Sequence, residues 1–166
     1  MNIPLAYKGF TLIELMVTLV VASILLVMAL PNFTEMIREN QTSSEANKLI
    51  RDLNLARSES VQRGISVSMC RSNTGAGCAG ANWQSGWIVF TDINSDRAVS
   101  AGDQLLQVND GLDTGFTMPV VNLTNGVTFG PDGSANAAGT FQVLPPAGGS
   151  RVISVNAAGR VTVAAP

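Results

Sequence analysis

Apolar residues are concentrated in one segment near the start of the chain, residues 10–30. Glu14 is the only charged residue of this segment, and its other polar side chains are Thr11, Thr18 and Ser23. A helix rises about 1.5 Å per residue, so a segment of this length spans the roughly 30 Å hydrocarbon core of a bilayer. The pattern therefore predicts a transmembrane helix over residues 10–30.

Two other interpretations of this segment are weaker. A cleavable secretory signal has an apolar stretch of roughly 7–15 residues, whereas this stretch is longer and carries a charge near its start. Residues 27–29, Val-Met-Ala, resemble a cut site only loosely, and this alternative stays open. A buried core helix is disfavoured because no following segment is suited to enclose it.

The helical pattern continues beyond Pro31, where uniform apolarity changes to an amphipathic repeat. The apolar positions that follow this repeat are Ala46, Leu49, Ile50, Leu53, Ala56 and Val61. Glu59 and Arg63 are spaced for an i, i+4 ion pair, and Gly64 is a typical helix stop. The pattern predicts one helix from residue 10 to about residue 63, kinked near Pro31, whose second half packs on the rest of the chain.

Short β-type segments replace the helical pattern after Gly64. They cover residues 66–70, 86–92, 104–108, 126–130, 139–144, 151–155 and 159–163. Turn-forming residues separate them, and the last two face each other across a turn at residues 156–159. One long helix followed by about seven strands predicts an α+β fold with a mostly antiparallel sheet.

The composition disfavours catalytic functions. The chain contains no histidine and carries a formal net charge of −2. Ser-His-Asp and Cys-His catalysis and most zinc sites need histidine, and no nucleophile–base pair is evident, so we do not expect an enzyme. We expect no cofactor and no metal. The slightly acidic total also gives no general attraction to nucleic acid.

The two cysteines, Cys70 and Cys78, are separated by a short segment of glycine and small polar residues. Zinc and iron–sulfur sites usually need four ligands, so a metal site is disfavoured. The N-terminal segment is typical of export, and exported proteins meet an oxidising environment. We therefore expect a disulfide, worth about 2–3 kcal/mol in the chain-entropy view, with two free thiols as the alternative.

Glu14 is costly in its apolar setting, since a carboxylate in a membrane helix costs roughly 2.5–3.5 kcal/mol at the bilayer centre and less near an end. Thr11, Glu14 and Thr18 share one helical face, which favours a helix–helix contact. No cation within the apolar segment can pair with Glu14. Cleavage between Gly9 and Phe10 would create an α-amino group about one turn away, on the same chain or on a neighbour.

The segment KGFTLIELMVTLVVASIL, residues 8–25, resembles the class III signal of type IV pilins and type II secretion pseudopilins. The resemblance implies that prepilin peptidase cleaves after Gly9 and that the new N-terminal Phe10 is N-methylated. It also implies that Glu14 guides assembly and that Pro31 kinks the helix, because family members often carry a proline at this position.

Later motifs occur in an order that resembles the GspH/FimT group of minor pilins and pseudopilins over nearly the whole chain. They are LARSESVQRG, the strand with its cysteine pair, WQSGWIVFTDINSD and VTFGPDGSA. The cysteine pair after the first strand is more similar to the FimU/FimT branch. The resemblance implies a pilin fold with a leader at 1–9, a transmembrane and assembly helix at 10–30, an amphipathic helix at 31–64 and a β-rich head at 65–166.

This resemblance implies a minor pilin that acts in priming or at the tip of a type IV pilus. Its partners would be other minor pilins, the major pilin and prepilin peptidase. It would cross the Gram-negative inner membrane once, with its head in the periplasm, before it enters the pilus. Two alternatives are a FimT-like DNA-binding pilin for natural transformation and a GspH-like minor pseudopilin of type II secretion.

One acidic loop resembles a calcium site in part. Asp92, Asn94, Asp96 and Asp103 stand at positions one, three, five and twelve of a calcium-loop template. Arg97 occupies the position that needs glycine, and a strand precedes the loop where the template has a helix. We therefore expect Asx turns that close the loop.

Arg151 and Arg160 form the candidate DNA-binding patch. FimT-type proteins are associated with DNA uptake through a Gly-Arg-x-Arg motif, which Gly159 and Arg160 match, whereas Thr162 stands in place of the second arginine. The loss of one phosphate-pairing cation should weaken non-specific DNA binding. Two exposed arginines that merely cap a sheet are the alternative.

Overall fold

The computed structural model describes residues 9–80 and 82–164, except for the side chains of residues 28–32. The predicted leader, apart from Gly9, lies outside the described residues. The chain divides into two compact units, residues 1–37 and 38–166.

A single long helix, α1, covers Leu12–Arg63 and belongs to both units. It ends where the sequence predicts, because Gly64 follows in the left-handed region at φ 66° and its N–H donates to the carbonyl of Ser60. The kink at Pro31 stays a prediction.

In the first unit, α1 exposes apolar side chains in every direction, from Leu12 to Val27. Among the residues that the structure describes, no helix combines the length and the apolarity that a membrane crossing requires. The predicted transmembrane segment at 10–30 is thus not confirmed and stays a prediction.

The described residues of the second unit form eight strands in two antiparallel four-stranded sheets. The strands are β1 (Val67–Arg71), β2 (Trp87–Thr91), β3 (Leu105–Asn109), β4 (Val120–Val121), β5 (Val127–Phe129), β6 (Gly139–Val143), β7 (Arg151–Val155) and β8 (Val161–Ala164). The first sheet has the order β3-β2-β1-β5 and the second the order β4-β6-β7-β8. The α+β prediction is therefore confirmed.

The seven predicted strands are all present, with ends shifted by one or two residues. The predicted hairpin of the last two is confirmed, since β7 pairs with β8 from Val155–Val161 to Val152–Ala164. Among the described strands, β4 was not predicted, because two residues are too few to show an alternating pattern. The division into two sheets was not predicted either.

One stripe of α1 packs on the inner faces of both sheets and forms the main core. Ala46, Leu49, Leu53 and Ala56 are buried there, as the amphipathic repeat predicts. Val61 was included in that repeat wrongly, since 53% of it is exposed. The buried stripe advances four residues from Ala56 to Ser60, which leaves Val61 on the outer side.

Both tryptophans, Trp83 and Trp87, are buried in the hydrophobic core. Trp83 lies in a short 3₁₀ turn and meets Phe141 edge-on, with ring centroids 4.9 Å apart. Its indole N–H donates to the carbonyl of Thr124. Trp87 is fully buried in β2. Both side chains therefore contribute to core packing.

Candidate functional site

The start of α1 is built as a helix cap next to the predicted cleavage point. The backbone N–H of Glu14 donates to the hydroxyl of Thr11 at 3.3 Å, and the N–H of Leu15 donates to the carbonyl of Thr11 at 3.2 Å. Thr11 and Glu14 thus have the spacing of a capping box. Gly9 and Phe10 precede the helix, and Phe10 is 82% exposed.

The carboxylate of Glu14 lies in the first turn of α1, where the helix dipole favours a negative charge. It is exposed, and none of the residues that the structure describes forms an ion pair with it. An external positive group therefore has unobstructed access to it.

The hydroxyls in the apolar part of α1 are turned back onto the helix. Thr18 donates to the carbonyl of Leu15 at 2.8 Å, and Ser23 donates to that of Val20 at 2.7 Å. Their donors are satisfied, so the exposed apolar surface carries few unmet polar groups. Such a surface is stable only in lipid or against other apolar helices.

The predicted disulfide is confirmed. Cys70 and Cys78 are bonded, with their Cα atoms 5.5 Å apart. Cys70 is buried with Ile88 and Phe90 in a small cluster on the outer face of the first sheet, whereas Cys78 is exposed. The bond therefore holds an exposed loop against the strands beneath it.

The acidic loop is closed by its own hydrogen bonds, as expected. The fully buried carboxylate of Asp92 accepts the backbone N–H groups of Asp96 and Arg97 at 3.0 Å each, and also the hydroxyl of Ser68. The amide of Asn94 donates to Asp96. Among the described residues, no group of acidic or cysteine side chains is close enough together to hold a metal ion.

Asp103 closes the same loop from its far end. Its carboxylate accepts the backbone N–H of Ile93 at 3.1 Å and both the N–H and the hydroxyl of Ser100 at 2.9 and 2.7 Å. Desolvation acts to raise the pKa of Asp103, but the hydrogen bonds from Ser100 and Ile93 together outweigh it and lower that pKa. The side chain is therefore held ionised.

The structure does not bring Arg151 and Arg160 together. Arg151 begins β7, and Arg160 precedes β8 at the opposite end of the hairpin, about 15 Å along the strand at roughly 3.3 Å per residue. Arg151 is half-buried and donates to the hydroxyl of Ser43 at 3.4 Å, whereas Arg160 is exposed. The two arginines do not share one patch.

Gly159 and Arg57 have structural roles near Arg160, at the turn between β7 and β8. A Cβ on Gly159, which has φ 71°, would overlap the carbonyl oxygen of Gly133. Arg57 on α1 donates to that carbonyl at 3.1 Å and to the carbonyl of Ala158 at 3.3 Å. The Gly-Arg pair therefore includes a glycine that close packing requires.

Two buried acids on α1 were not predicted. Asp52 accepts the indole N–H of Trp87 at 2.8 Å and the side-chain amide of Asn109 at 3.3 Å. Glu45 pairs with Lys48 at 2.7 Å. Asp52 directly precedes Leu53, and Glu45 directly precedes Ala46, both of which lie on the apolar stripe. These positions could have identified the two acids from the sequence, because a charged residue on a buried face needs a partner.

The largest groove described is open and polar. It measures about 980 Å³ and lies between residues 40–51 of α1 and the loop at 108–114. Amide and hydroxyl side chains form part of its lining, together with the charged side chains of Lys48, Arg51, Asp110 and Asp113.

Comparison with protein families gives two matches. The family described as type II transport protein GspH matches residues 45–159. The prokaryotic N-terminal methylation motif matches residues 5–30. No curated protein sequence matches the chain.

Two solved structures share the fold. The type IV minor pilin FimU of Pseudomonas aeruginosa is 23% identical, with a TM-score of 0.62, over 77% of this chain and 94% of that one. The minor pseudopilin EpsH of the type 2 secretion system of Vibrio cholerae is 10% identical, with a TM-score of 0.56, over 76% of this chain and 98% of that one. The α+β architecture is thus that of the pilin fold.

Proposed function

The chain belongs to the GspH family, and from this membership we propose that it is a minor pilin, a non-catalytic structural subunit of a type IV pilus. The observation that carries the proposal is the start of α1. There an exposed Phe10, a Thr11 cap and an unpaired Glu14 open a helix whose apolar side chains are exposed all around. That arrangement suits a helix that joins a bundle of like helices.

Processing after Gly9 is the first step of the proposed mechanism. Prepilin peptidase removes residues 1–9, and Phe10 becomes the methylated N-terminus. The match of residues 5–30 to the methylation motif supports this step. The exposure of Phe10 ahead of the first helical turn also supports it, because a protease needs an extended, accessible bond.

Docking through Glu14 is the second step. Cleavage gives Phe10 a positive α-amino group, and the carboxylate of Glu14 pairs with such a group on this chain or on a neighbouring subunit. In an apolar bundle the effective dielectric is low, so a correctly placed pair is favoured and an unpaired carboxylate is costly. The pairing therefore fixes the axial position of the incoming helix.

Residues 10–30 hold the subunit in the inner membrane of a Gram-negative cell before assembly. Lys8 keeps the leader on the cytoplasmic side, in line with the positive-inside rule. The head, residues 65–166, then lies in the periplasm, where the Cys70–Cys78 bond is stable. A kink at Pro31 adapts the helix between its membrane and head portions.

The partners we propose are other minor pilins and the major pilin, in a priming or tip complex. Glu14→Ala tests this function in cells that assemble pili. We expect the variant to be cleaved normally but to be missing from sheared filaments, whereas Glu14→Asp retains part of the incorporation. Normal incorporation of Glu14→Ala would contradict the docking step.

A minor pseudopilin of a type II secretion system is the second candidate, favoured by the family's description as a transport protein. Deletion of the gene separates the two. Loss of pili and twitching supports the pilus, and loss of exoprotein release with normal twitching supports the secretion system.

DNA uptake is a further alternative, supported by the exposed Arg160 beside Gly159. It predicts that the chain binds DNA in a salt-sensitive manner through Arg160. An absence of binding at low salt would remove it.

A further inference from the structure

The four edges of the two sheets differ in how well they are closed. The outer edge of β5 is taken by the turn that follows it, since Ala135 bridges to Phe129 and the N–H of Asn136 donates to Thr128. β4 is only two residues long. β3 pairs with β2 through a register shift at Val89/Phe90. Short or irregular edges accept another strand poorly.

β8 is the exception. It runs for four residues in regular register with β7 and, within the described part of the chain, pairs with no other strand. It carries no charge and no proline, the two devices that usually protect an edge. Its outer edge is therefore a regular, open template for a further strand.

The register shows which groups are free. The N–H of Asn156 donates to the carbonyl of Arg160, so these two residues form a hydrogen-bonded pair. Such pairs alternate with non-bonded ones along an antiparallel ladder. Val161 and Val163 therefore direct their N–H and C=O groups away from β7, toward the open edge.

The exposure of Val163 shows that the inner face of the second sheet is incompletely covered at this edge. Val163 lies opposite Ile153, which is completely buried, yet 49% of Val163 is exposed. An added strand would continue the same apolar row and cover the exposed part. Strand addition would thus satisfy backbone groups and bury apolar surface at once.

The positive charge of Arg160 indicates which chemical group a partner should present at this edge. Arg160 is exposed directly before β8, and its guanidinium forms no hydrogen bond or ion pair within the described residues. A second copy of this edge offers no carboxylate, because residues 156–164 contain no Asp or Glu. A different chain with an acidic residue opposite Arg160 fits better.

We infer that β8 pairs with an extended, apolar segment of a different pilin subunit, and that an acidic residue next to that segment places its carboxylate against Arg160. This inference rests on the proposed function, because it takes the partner from the same filament. It locates a head-to-head contact that is independent of the Glu14 contact between helices.

Photo-crosslinking of the full chain in pilus-producing cells tests the inference. With p-benzoylphenylalanine in place of Val163, the expected adduct maps by mass spectrometry to a β-type segment of another processed pilin, beside an Asp or Glu. An adduct to a second copy of this chain, to lipid or to a protein other than a pilin would overturn the inference, as would no adduct.

A pair of variants tests the backbone contact itself. Val163→Pro lacks the outward N–H, whereas Val163→Thr keeps both the N–H and the β-branched shape and exchanges one methyl group for a hydroxyl. We expect Val163→Pro to lower recovery of the complex between the two subunits about tenfold, with Val163→Thr near the wild-type level. Retention of the Cys70–Cys78 bond and of protease resistance shows that each variant folds.

The two proposals fail in distinguishable ways. If Val163→Pro folds and recovers the complex normally while Glu14→Ala is excluded from filaments, strand addition is wrong and the minor-pilin function stands. If Glu14→Ala also enters filaments, the docking step is wrong, and if the wild-type chain is itself missing from filaments, the minor-pilin function is wrong.

Discussion

The indole N–H of Trp87 donates a 2.8 Å hydrogen bond to the carboxylate of Asp52, and both residues are buried. Asn109 donates to the same carboxylate oxygen from β3. One acid on α1 thereby fixes the two strands β2 and β3 relative to the helix. These directional contacts add to the apolar packing of the helix.

Asp52→Ala should destabilise the head by about 2–3 kcal/mol, because it leaves the buried indole N–H of Trp87 and the half-buried amide of Asn109 without an acceptor. Asp52→Asn keeps one acceptor oxygen and should cost less. Intrinsic fluorescence in a denaturant titration of the detergent-extracted chain measures the loss, since both tryptophans lie in the head. The exposed Asp110→Ala is the control, with an expected change within about 0.5 kcal/mol. An equal loss in Asp110→Ala would contradict the assignment.

Gly159→Ala should destabilise the head by about 3 kcal/mol, because the added Cβ overlaps the carbonyl of Gly133 and φ is 71°. Gly77→Ala is the matched control, since a Cβ there meets nothing within 4 Å. Thermal unfolding of both variants measures the difference. If Gly159→Ala unfolds at the wild-type temperature, the close approach of the two turns is wrong.

Acid should weaken the loop that Asp103 closes. Because its pKa is lowered in the fold, the ionised carboxylate stabilises the fold above the unfolded pKa, about 3.9, and this contribution is lost as pH falls through the folded pKa. Asp103→Asn should therefore melt below the wild type at pH 6, and the difference should shrink as the pH falls through the lowered pKa of Asp103. A difference that stays constant from pH 6 to pH 2 would contradict the role of the charge.

Any DNA binding should involve few phosphates. Because Arg151 is half-buried against Ser43 and distant from Arg160, we expect about one phosphate contact and a slope near −0.9 for the logarithm of affinity against that of salt. Arg160→Ala should abolish the slope, and Arg151→Ala should leave it. A slope of about −2 or steeper in a filter-binding titration would show a larger basic surface.

The sequence predicts local structure well where a repeat is long or a stop is unambiguous. α1 follows from its periodicity and ends before Gly64, and the strand at 151–155 turns back as expected. Val61 was misplaced because apolarity alone does not distinguish a buried position from its neighbour. Ser60 faces inward because it lies four residues, about one helical turn, after the buried Ala56.

Tertiary contacts between distant residues could not be predicted from the sequence. Nothing local indicates that Asp52 meets Trp87, because 35 positions separate them and the pairing depends on how α1 crosses β2. The open edge of β8 likewise appears only when the order of strands is known.

The identity of the mature N-terminus tests the central claim most directly. Mass spectrometry of the chain extracted from membranes should give a protein that begins at Phe10 and carries one methyl group on its α-amine. The same chain from cells without prepilin peptidase should keep residues 1–9. A mature chain that begins at Asn2 or at Leu30 in wild-type cells would contradict processing at Gly9 and, with it, the pairing of Glu14 with a new N-terminus.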